Sequence, residues 1–441
     1  IRIQMKAAAG AAFGALVRRQ PVAYSALLHV EGQHILSLSP ELFFRVEGGR
    51  IVTRPMKGTM HRGLDCAEDA AAAERLGKDE KNRAEHVMIV DLLRNDLGRI
   101  CEMGSVRVED IFSVERYRTL LQMTSTVSGK LRGGLSYYEI FRAMFPSGSI
   151  TGAPKIRTME IIRELERGPR GVYTGAIGFM SPEGAATFNV AIRTLMLKEG
   201  EARMGVGGGI VADSEPMEEY RECLLKAEFL TRPRLEFQLI ETMLWEGEVF
   251  LLEMHLERLE ASAEYFDFAF DRGAVAARLE EEARGFRVEE RYRVRLLLDE
   301  AGEVTVTAVV LGIDGPAAPV RLAAERTFSG DVFLRHKTTR RELYEREYAR
   351  ARAEGFADVI FMNERGEVTE GAISNVFIRR EGKLLTPPLG SGVLPGVLRR
   401  HLLETDGSVE ECVLTLADLA ASEAVFLGNS VRGLREVTLV D

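Results

Sequence analysis

The chain has few cysteines, no long hydrophobic run and no excess of basic charge. Its four cysteines, Cys66, Cys101, Cys223 and Cys412, form no CxxC pair, which argues against a zinc ribbon or a disulfide framework and favours a reducing cytoplasm. The longest mainly apolar run, Ala7 to Val17, is too short to cross a bilayer, so we expect no membrane segment. The 58 basic and 67 acidic side chains are interspersed, with a net charge of -9, which leaves no basic stripe for nucleic acid.

Length and composition indicate a globular protein with more than one domain. The 441 residues exceed what one ordinary hydrophobic core supports. Hydrophobic residues make up 46% and charged residues 28%, as in soluble folded proteins. The first residue is Ile1 rather than Met, so the native start, and any targeting signal on it, can lie outside this sequence.

The residue pattern changes near residue 232, where we predict a domain boundary. A helix-like stretch, Met217 to Leu230, ends at Thr231 to Arg234, and a strand-like run, Leu235 to Trp245, begins. The predicted domains are therefore 1–232 and 235–441. The first mixes strands and helices, with strands at Arg50–Arg54 and Ala176–Met180 and helices at Arg83–Leu97 and Ile156–Leu165.

The second domain is predicted to have two α and β subdomains, at about 235–315 and 320–441. Ile313 to Pro319, with its glycine and proline, has the composition of a linker between them. The predicted elements before this linker are strands at Glu248–Leu252, Arg291–Leu298 and Glu303–Leu311 and a helix at His255–Phe266.

An acidic helix follows a glycine-rich turn in the first domain. A serine cap and a proline open this helix at Ser214, and Glu219 and Glu222 lie one turn apart on one face. The turn Gly205–Gly209 lets the backbone approach an anion closely. A second acidic segment, Asp79–His86, runs into an apolar helix, and carboxylates from two helices can hold Mg²⁺. Taken alone, each segment also fits a solvated surface.

Three further motifs accompany these two. Arg54–Thr59 follows a strand, Ser147–Lys155 opens a helix, and Tyr173–Gly178 precedes Asn189–Thr194. Five motifs in this order resemble the chorismate-utilising enzymes, the family of anthranilate synthase, aminodeoxychorismate synthase and isochorismate synthase, over residues 1–231. The resemblance implies part of that family's fold, layered antiparallel sheets with helices.

Lys57 separates the branches of that family. The residue after Pro-Ile or Pro-Met is usually Ala in anthranilate synthases and Lys in aminodeoxychorismate synthases, and here it is Lys57. The resemblance implies that this lysine attacks C2 of chorismate before ammonia enters at C4. The alternative is that Lys57 merely pairs with a carboxylate.

The resemblance also implies metal and substrate ligands. Glu85 and Glu222 would bind the Mg²⁺ that neutralises the substrate carboxylate, with Glu219 as an acid or base. The implied substrate-binding residues are Tyr173 and Arg193, as carboxylate binders, with Thr151, Gly207, Gly208 and Gly209.

Two departures from the family pattern affect these expectations. Gln122 stands where many relatives have a His, which puts proton transfer there in doubt. The family's N-terminal part is expected upstream of this chain, with Gln4 as the remnant of a Tyr-Gln pair.

Three separated motifs in the second domain meet the needs of pyridoxal phosphate. That cofactor requires a lysine, an acid at its pyridine nitrogen and donors to its phosphate. Lys337 stands in Leu334–Arg340, Glu370 in Thr369–Phe377, and Arg258 in His255–Leu259. Each motif alone has a common structural explanation, a solvated lysine or a turn.

With Leu394–Arg399, these motifs resemble the fold-type-IV pyridoxal-phosphate enzymes over residues 235–441, which implies a two-subdomain fold. The resemblance implies that Lys337 carries the cofactor, Glu370 contacts the pyridine nitrogen and Arg258 the phosphate. The other implied cofactor contacts are Ile373, the amides of Val397 and Leu398, and Ser430 or Asn429. Some relatives have Thr at the position of Leu398, so one hydroxyl donor is lost here.

Together the two resemblances imply p-aminobenzoate synthesis for folate: amination of chorismate, then cofactor-dependent release of pyruvate from the aminated product. An alternative joins an anthranilate- or isochorismate-forming domain to a branched-chain or D-amino-acid aminotransferase. Another makes one half a non-catalytic scaffold. The second half alone does not separate a lyase from an aminotransferase.

The implied reaction needs chorismate and ammonia. The sequence shows no glutaminase signature, so a separate glutamine amidotransferase subunit, or free ammonia, is expected. Fold-type-IV relatives are commonly dimers, so a homodimer through the second domain is compatible with the resemblance.

Overall fold

A computed structural model describes residues 1–212, 214–231, 236–312 and 319–440. These residues fall into two compact units, the first made of Ile1–Arg62 and Ala71–Leu235 and the second of Gly63–Ala70 and Glu236–Asp441. The predicted boundary at 232–234 and residues 313–318 of the predicted linker lie outside the described residues. Among the described residues, no helix is both long and apolar enough to cross a membrane.

Up to residue 231, long helices alternate with short strands. The helices are α1 (Ala9–Arg19), α2 (Cys66–Lys78), α3 (Glu80–Gly98), α4 (Tyr137–Met144), α5 (Gly148–Thr151), α6 (Lys155–Leu165) and α7 (Pro216–Thr231). The strands are β1 (Arg2–Gln4), β2 (Tyr24–Val30), β3 (Gln33–Ser39), β4 (Leu42–Glu47), β5 (Arg50–Arg54), β6 (Met56–His61), β7 (Arg107–Val108), β8 (Ser113–Arg116), β9 (Leu120–Thr124), β10 (Val127–Lys130), β11 (Ala176–Met180), β12 (Ala186–Val190), β13 (Thr194–Lys198) and β14 (Glu201–Met204).

The strands of the first unit form three antiparallel sheets, ordered β1-β14-β13-β3-β2, β11-β12-β4-β5-β10-β7 and β6-β9-β8. One core lies between the first sheet and α1 and α7, where Leu16 and Leu230 meet Leu36 and Leu195. A second lies between the six-stranded sheet and α3 and α4. The expected layered antiparallel sheets with helices are confirmed.

Local sequence signals explain most of these boundaries. The side chain of Asp79 accepts a hydrogen bond from the Asn82 N–H and so caps α3, whose 19 residues contain the predicted helix. The predicted strands at β5 and β11 and the predicted helix at α6 are confirmed. The predicted helix opening at Ser147 is instead the four-residue α5, which ends where Gly152 adopts φ 115°, and α6 starts separately at Lys155.

The second unit continues with strands and helices after residue 236. Its strands are β15 (Leu239–Glu246), β16 (Glu248–Val249), β17 (Tyr292–Leu298), β18 (Val304–Val310), β19 (Pro319–Leu322), β20 (Asp358–Met362), β21 (Val368–Gly371), β22 (Asn375–Arg380), β23 (Lys383–Thr386), β24 (Val409–Glu411), β25 (Ala424–Asn429) and β26 (Gly433–Leu439). Its helices are α8 (Leu252–Phe266), α9 (Arg272–Ala283), α10 (Glu342–Ala353), α11 (Val397–Thr405) and α12 (Leu416–Ala421), with 3₁₀ turns at Val332–Leu334 and Leu389–Ser391.

Two sheets organise the second unit. The antiparallel sheet β16-β15-β17-β18 shares a hydrophobic core with α8 and α9. The larger sheet, β21-β20-β19-β26-β25-β22-β23-β24, is mixed, and an extra pairing of β21 with β22 closes six of its strands into a ring. The closing pair is Glu370 with Asn375, so a predicted site residue lies where the ring closes.

One predicted strand in this unit is wrong. Glu248–Leu252 is a strand only at Glu248–Val249, and Leu252 already belongs to α8. Leu251 has φ 55°, and this left-handed residue reverses the chain before the helix. Leu252 therefore packs against the core from the helix, whereas Phe250 is exposed.

Candidate active sites

The glycine turn of the first unit lies against three predicted site residues. A Cβ on Gly207 would stand 3.1 Å from Tyr173 Oη, one on Gly208 2.8 Å from Glu219 Oε2, and one on Gly209 2.7 Å from Lys57 Nζ. None of the three glycines has a positive φ, so close approach rather than backbone strain explains glycine here.

Lys57 and Glu85 form an ion pair beside this turn. Lys57 Nζ lies 3.0 Å from Glu85 Oε2, with 27% and 18% of the two side chains exposed. Lys57 is on β6 and Glu85 on α3, which pack together. Gln122, on the neighbouring β9, donates a 2.9 Å hydrogen bond to the Gly58 carbonyl, where the pairing of β6 with β9 shifts register just after Lys57. Lys57 is therefore paired with a carboxylate and also lies at the glycine turn, so the two expectations for this residue are compatible.

The acidic face of α7 is also paired. Ser214 Oγ donates to Glu219 Oε1 at 2.7 Å. Lys226 lies 2.7 Å from Glu222 and also donates to the Gly207 carbonyl at 3.1 Å. This lysine, absent from the sequence-based predictions, connects the acidic helix to the glycine turn.

Two predicted substrate ligands have their contacts elsewhere. Thr151 donates to the Ser147 carbonyl at 3.1 Å, within its own short helix. Arg193 is held at φ 49°, and among the described residues its buried Nη1 has no hydrogen-bond partner. Burial lowers the pKa of Arg193 to about 10, and the nearby Tyr117 opposes this shift. A buried guanidinium with an open donor suits an anionic ligand.

Sequence analysis missed two buried titratable groups close to this site. Burial raises the pKa of Glu41 to about 7 despite hydrogen bonds from Ser149 and Met56. Burial lowers the pKa of His86 to about 4, and its Nε2 lies 2.7 Å from Ser125 Oγ. Glu41 directly precedes a strongly apolar strand, and that position was the sequence feature that could have identified it as a buried acid.

The second unit contains a cavity of about 590 Å³ that collects every predicted cofactor residue of this half. The predicted residues that line it are Arg258, Lys337, Glu370, Ile373, Val397, Leu398 and Ser430. They come from α8, the turn before α10, the ring of strands and the start of α11. The tertiary fold thus brings together residues more than 170 positions apart.

Lys337 is fixed by backbone pairing with the first strand of this unit. The Ile240 N–H donates to the Lys337 carbonyl at 2.8 Å, and Thr339 and Gln238 exchange two further hydrogen bonds. Removal from water, together with the charges of Arg341 and Arg258, lowers the pKa of Lys337 to about 7. A large fraction of this lysine is therefore an uncharged amine near neutral pH.

Glu370 is held by two donors. Tyr344 Oη donates to Oε1 at 2.9 Å, and the Leu394 N–H donates to Oε2 at 3.0 Å. Burial nevertheless raises the pKa of this carboxyl group to about 7. Tyr344, which the sequence did not single out, thus orients a predicted cofactor ligand.

Arg258 is oriented by a buried carboxylate. Its Nε and Nη2 donate to Glu241 at 2.8 and 2.6 Å, and its Nη1 donates to the Pro395 carbonyl at 3.1 Å. His255 Nδ1 lies 2.6 Å from the same carboxylate. Glu241 was also missed; an acid inside the apolar strand β15 was its signal.

The start of α11 contributes backbone amides to the cavity. Gly396 precedes it, and a Cβ there would lie 1.8 Å from Asn375 Oδ1, so only glycine allows this approach. Ser430 donates to the Thr242 carbonyl at 3.3 Å. Asn429 donates to Ile373 and Ser374 and accepts from Val431 and Arg432, which commits both ends of its amide.

The residues just before Lys337 are held by Gly63–Ala70, which packs in the second unit. Buried Arg335 lies 3.2 Å from Glu68 and 3.6 Å from Asp65. His336 lies 3.0 Å from Ser262 Oγ and 3.0 Å from the Leu64 carbonyl. An early segment of the chain therefore supports the turn that carries Lys337.

Comparison with known proteins assigns both halves. A family model described as chorismate binding enzyme matches residues 1–232, more than half of the chain. The chain belongs to the chorismate binding enzyme family. Residues 238–440 match the amino-transferase class IV model.

Named relatives of the chorismate-binding half come from two branches. An aminodeoxychorismate synthase of Streptomyces pristinaespiralis is 49% identical over 218 residues, which are 49% of this chain and 30% of that protein. An anthranilate synthase component 1 of Streptomyces coelicolor is 49% identical over 196 residues, which are 44% of this chain and 38% of that protein. The chain spans less than half the length of these curated relatives, and their identities do not separate the branches.

For the class IV half, a solved branched-chain aminotransferase from Thermoproteus uzoniensis is 24% identical, with a TM-score of 0.41. It covers 46% of this chain, and this chain covers 78% of it. The class IV family implies pyridoxal phosphate. The cavity fits it: the first residues of α11, Val397 and Leu398, line it, Lys337 offers an amine whose pKa burial lowers, and Glu370 offers a buried carboxyl group.

Mg²⁺ in the chorismate-binding half would rely on two carboxylates. Among the described residues, no group of three or more His, Cys, Asp or Glu side chains is arranged to hold a metal. Glu85 and Glu222 supply oxygen donors of the type Mg²⁺ prefers, which it commonly supplements with substrate oxygens and water. Each is paired with a lysine, Lys57 or Lys226, so a metal bound here would have to displace those lysines.

Proposed function

We propose that the chain makes p-aminobenzoate from chorismate and ammonia in two reactions, one in each unit. The first replaces the C4 hydroxyl of chorismate with an amino group and releases water. The second cleaves the C3–O bond of the aminated product and gives p-aminobenzoate and pyruvate.

The observation that carries this proposal is the position of Lys57. Its Nζ stands at the glycine turn, close enough to Gly209 that a Cβ there would lie 2.7 Å away, and 3.0 Å from Glu85. A lysine at this place supplies a nucleophile that Ala, usual in the anthranilate branch, lacks. The same chain also contains the class IV cavity with Lys337, and the aminated product would be converted to p-aminobenzoate there.

In the first unit, Lys57 acts as the nucleophile. Its Nζ forms a bond to C2 of chorismate, the diene electrons shift towards C4, and the C4–O bond breaks. Glu219 donates the proton with which the hydroxyl leaves as water. Ammonia then forms the C4–N bond while the bond from C2 to Lys57 breaks. Arg193 and Tyr173 bind substrate carboxylates, and Glu85 and Glu222 would hold Mg²⁺.

In the second unit, Lys337 moves the proton. Pyridoxal phosphate, when bound, withdraws electrons from the amino-bearing carbon. Arg258, the α11 amides and Ser430 would hold the phosphate, and Glu370 would hold the pyridine nitrogen. Lys337 Nζ takes the C4 proton, the C3–O bond breaks, and the leaving enolpyruvate takes up a proton to become pyruvate. The ring becomes aromatic.

The proposed partners and setting follow from this chemistry. A separate glutamine amidotransferase subunit supplies ammonia, and the product serves folate synthesis. The cytoplasm is the proposed compartment, since none of the four cysteines, all of them described, forms a disulfide. A homodimer through the second unit belongs to the same proposal.

The test uses the full chain with chorismate, Mg²⁺ and an ammonium salt, with and without pyridoxal phosphate, and product identification by chromatography with mass detection. We expect p-aminobenzoate and pyruvate with the cofactor and aminated chorismate without it. Anthranilate, or no aminated product while the protein is folded, would overturn the proposal for the first unit. Aminated chorismate that persists with bound cofactor would overturn it for the second.

A further inference from the structure

Two arginines on β17 extend along one wall of the Lys337 cavity. Val294 and Leu296 on this strand are buried in the core with α8 and α9, whereas Arg293 and Arg295 lie on the opposite, exposed face. Both line the cavity, as does Thr242, the β15 partner of Arg295. Their Cα atoms are about 7 Å apart, since they are two residues apart on a strand. Strand alternation therefore directs two guanidinium groups to the same space.

Neither arginine is neutralised by a described residue. Arg258 in the same cavity has the carboxylate of Glu241, and Arg341 donates to the Ala372 carbonyl. Among the described residues, the side chains of Arg293 and Arg295 have no ion pair and no hydrogen bond, although their backbones pair with β15 and β18. The buried acid of this cavity, Glu370, is occupied by Tyr344 and Leu394. Other charged residues also line the cavity, but neither Arg293 nor Arg295 is paired with a carboxylate of its described lining.

We propose that Arg293 and Arg295 bind two carboxylates of one substrate, so that this cavity selects a cyclic dicarboxylate amine. This inference rests on the proposed function and names what the second unit recognises. A branched-chain amino acid has one carboxylate and an apolar side chain, and would leave one guanidinium facing alkyl groups. An amino-cyclohexadiene with a ring carboxylate and an enolpyruvyl carboxylate satisfies both.

The probe is 3-(1-carboxyvinyloxy)benzoate, a stable aromatic diacid with a ring carboxylate and an enolpyruvyl carboxylate. Because the first unit also binds this diacid on the proposed function, occupancy of the cavity is measured by the absorbance of bound pyridoxal phosphate in the full chain. Comparison ligands with one carboxylate are 2-phenoxyacrylate and 4-methyl-2-oxopentanoate. The variants are Arg293→Gln and Arg295→Gln, and the control is Arg287→Gln, an exposed arginine outside the cavity lining.

We expect each cavity variant to raise the Kd of the diacid by about 10- to 100-fold, the range for a lost hydrogen bond between charged groups. The Kd of 4-methyl-2-oxopentanoate should change less than about threefold, and Arg287→Gln should bind all three ligands like the parent chain. Calorimetry should show the variants losing one of two diacid-binding events. Unchanged diacid affinity in both variants, at unchanged unfolding temperature, would overturn the inference.

Formation of p-aminobenzoate from chorismate and ammonium separates this inference from the proposed function. If the diacid binds through the arginines and no p-aminobenzoate forms, the dicarboxylate site stands and the proposed reaction fails. If p-aminobenzoate forms at equal rates in parent and variants, the proposed function stands and the role of the arginines is overturned.

Discussion

Lys57 Nζ lies 3.0 Å from Glu85 Oε2 in the first unit, and a proposed nucleophile and a proposed Mg²⁺ ligand thus neutralise each other. A lysine held by a carboxylate is kept in place beside the glycine turn, but it must lose that partner to react. On the proposed function, binding of a metal at Glu85 would release it and would so couple Mg²⁺ binding to activation of Lys57.

Replacement of Lys57 tests its role. We expect Lys57→Ala to lower amination of chorismate by about 10²- to 10⁴-fold, the range for a positioned catalytic side chain. Conversion of supplied aminodeoxychorismate to p-aminobenzoate should continue at the parent rate. The control is Lys78→Ala, which removes an exposed lysine paired with Glu74. Equal loss of both reactions would point to unfolding instead of chemistry.

A methyl group on the glycine turn should damage the site without unfolding the unit. In Gly209→Ala the new Cβ would lie 2.7 Å from Lys57 Nζ, and the mobile end of that side chain must move away. A displacement of this size can cost about 100-fold in rate. Gly10→Ala, where no atom lies within 4 Å, is the control. Parent-like amination by Gly209→Ala would contradict the placement of Lys57.

The lowered pKa of Lys337 predicts a pH-dependent reactivity. Its amine should be half deprotonated near pH 7 in the cofactor-free chain, where an ordinary lysine has a pKa of 10.5. Reductive methylation read by peptide mass spectrometry should show Lys337 gaining reactivity through pH 7, with the exposed Lys78 as the comparison in the same digest. Lys337 reacting in parallel with Lys78 would refute this.

The same shift affects stability. Between pH 7 and 10.5, Lys337 keeps its proton in the unfolded chain but loses it in the folded chain. The free energy of unfolding should therefore rise with pH over this range, as the penalty for burying the charged lysine disappears. Lys337→Met should remove that part of the slope.

Glu241 should make the second unit sensitive to acid. Burial alone would raise its pKa, but the charges of Arg258 and His255 outweigh burial and lower it to about 2. Its contribution is therefore present above about pH 4.5 and is lost as the pH falls towards 2. Glu241→Gln should lower the free energy of unfolding at pH 7 by about 3 to 5 kcal/mol, the cost of breaking a buried ion pair.

Fluorescence of Trp245 measures this, because the chain's single tryptophan lies in the core of the second unit. Glu260→Gln, which removes an exposed partner of Arg272, is the control and should stay within about 0.5 kcal/mol of the parent. A Glu241→Gln variant that keeps the parent's acid slope would count against this account.

The stability of the second unit should depend on residues outside 238–440, the range that matches the class IV family, because Arg335 is paired with them. Its carboxylate partners, Asp65 and Glu68, lie far upstream of residues 238–440. We expect Asp65→Asn with Glu68→Gln to lower the stability reported by Trp245 by about 2 kcal/mol, since a buried charge loses its partners. Adding Arg335→Met should restore most of it, whereas Glu74→Gln should have little effect.

Much of the fold could be predicted because it depends on local patterns. Strands such as Arg50–Arg54 and helices such as α3 follow from side-chain periodicity and caps within a few residues. The predicted strand end at Leu252 was wrong because Leu251 adopts a left-handed conformation. No adjacent glycine or asparagine indicates this conformation in the sequence. The separation of α5 from α6 likewise depends on Gly152 at φ 115°.

The sequence by itself determined which chemical groups this protein carries: a lysine after Arg-Pro-Met, a glycine turn before an acidic helix, and Lys337, Glu370 and Arg258 in three separate motifs. Tertiary structure decided how those groups are charged and which of them meet. The pKa of Lys337 is lowered to about 7 because burial, the nearby Arg341 and the distant Arg258 disfavour its proton, and Arg258 is oriented by Glu241 from another element. Desolvation and ion pairing arise between residues far apart in the chain, so periodicity and spacing do not contain them.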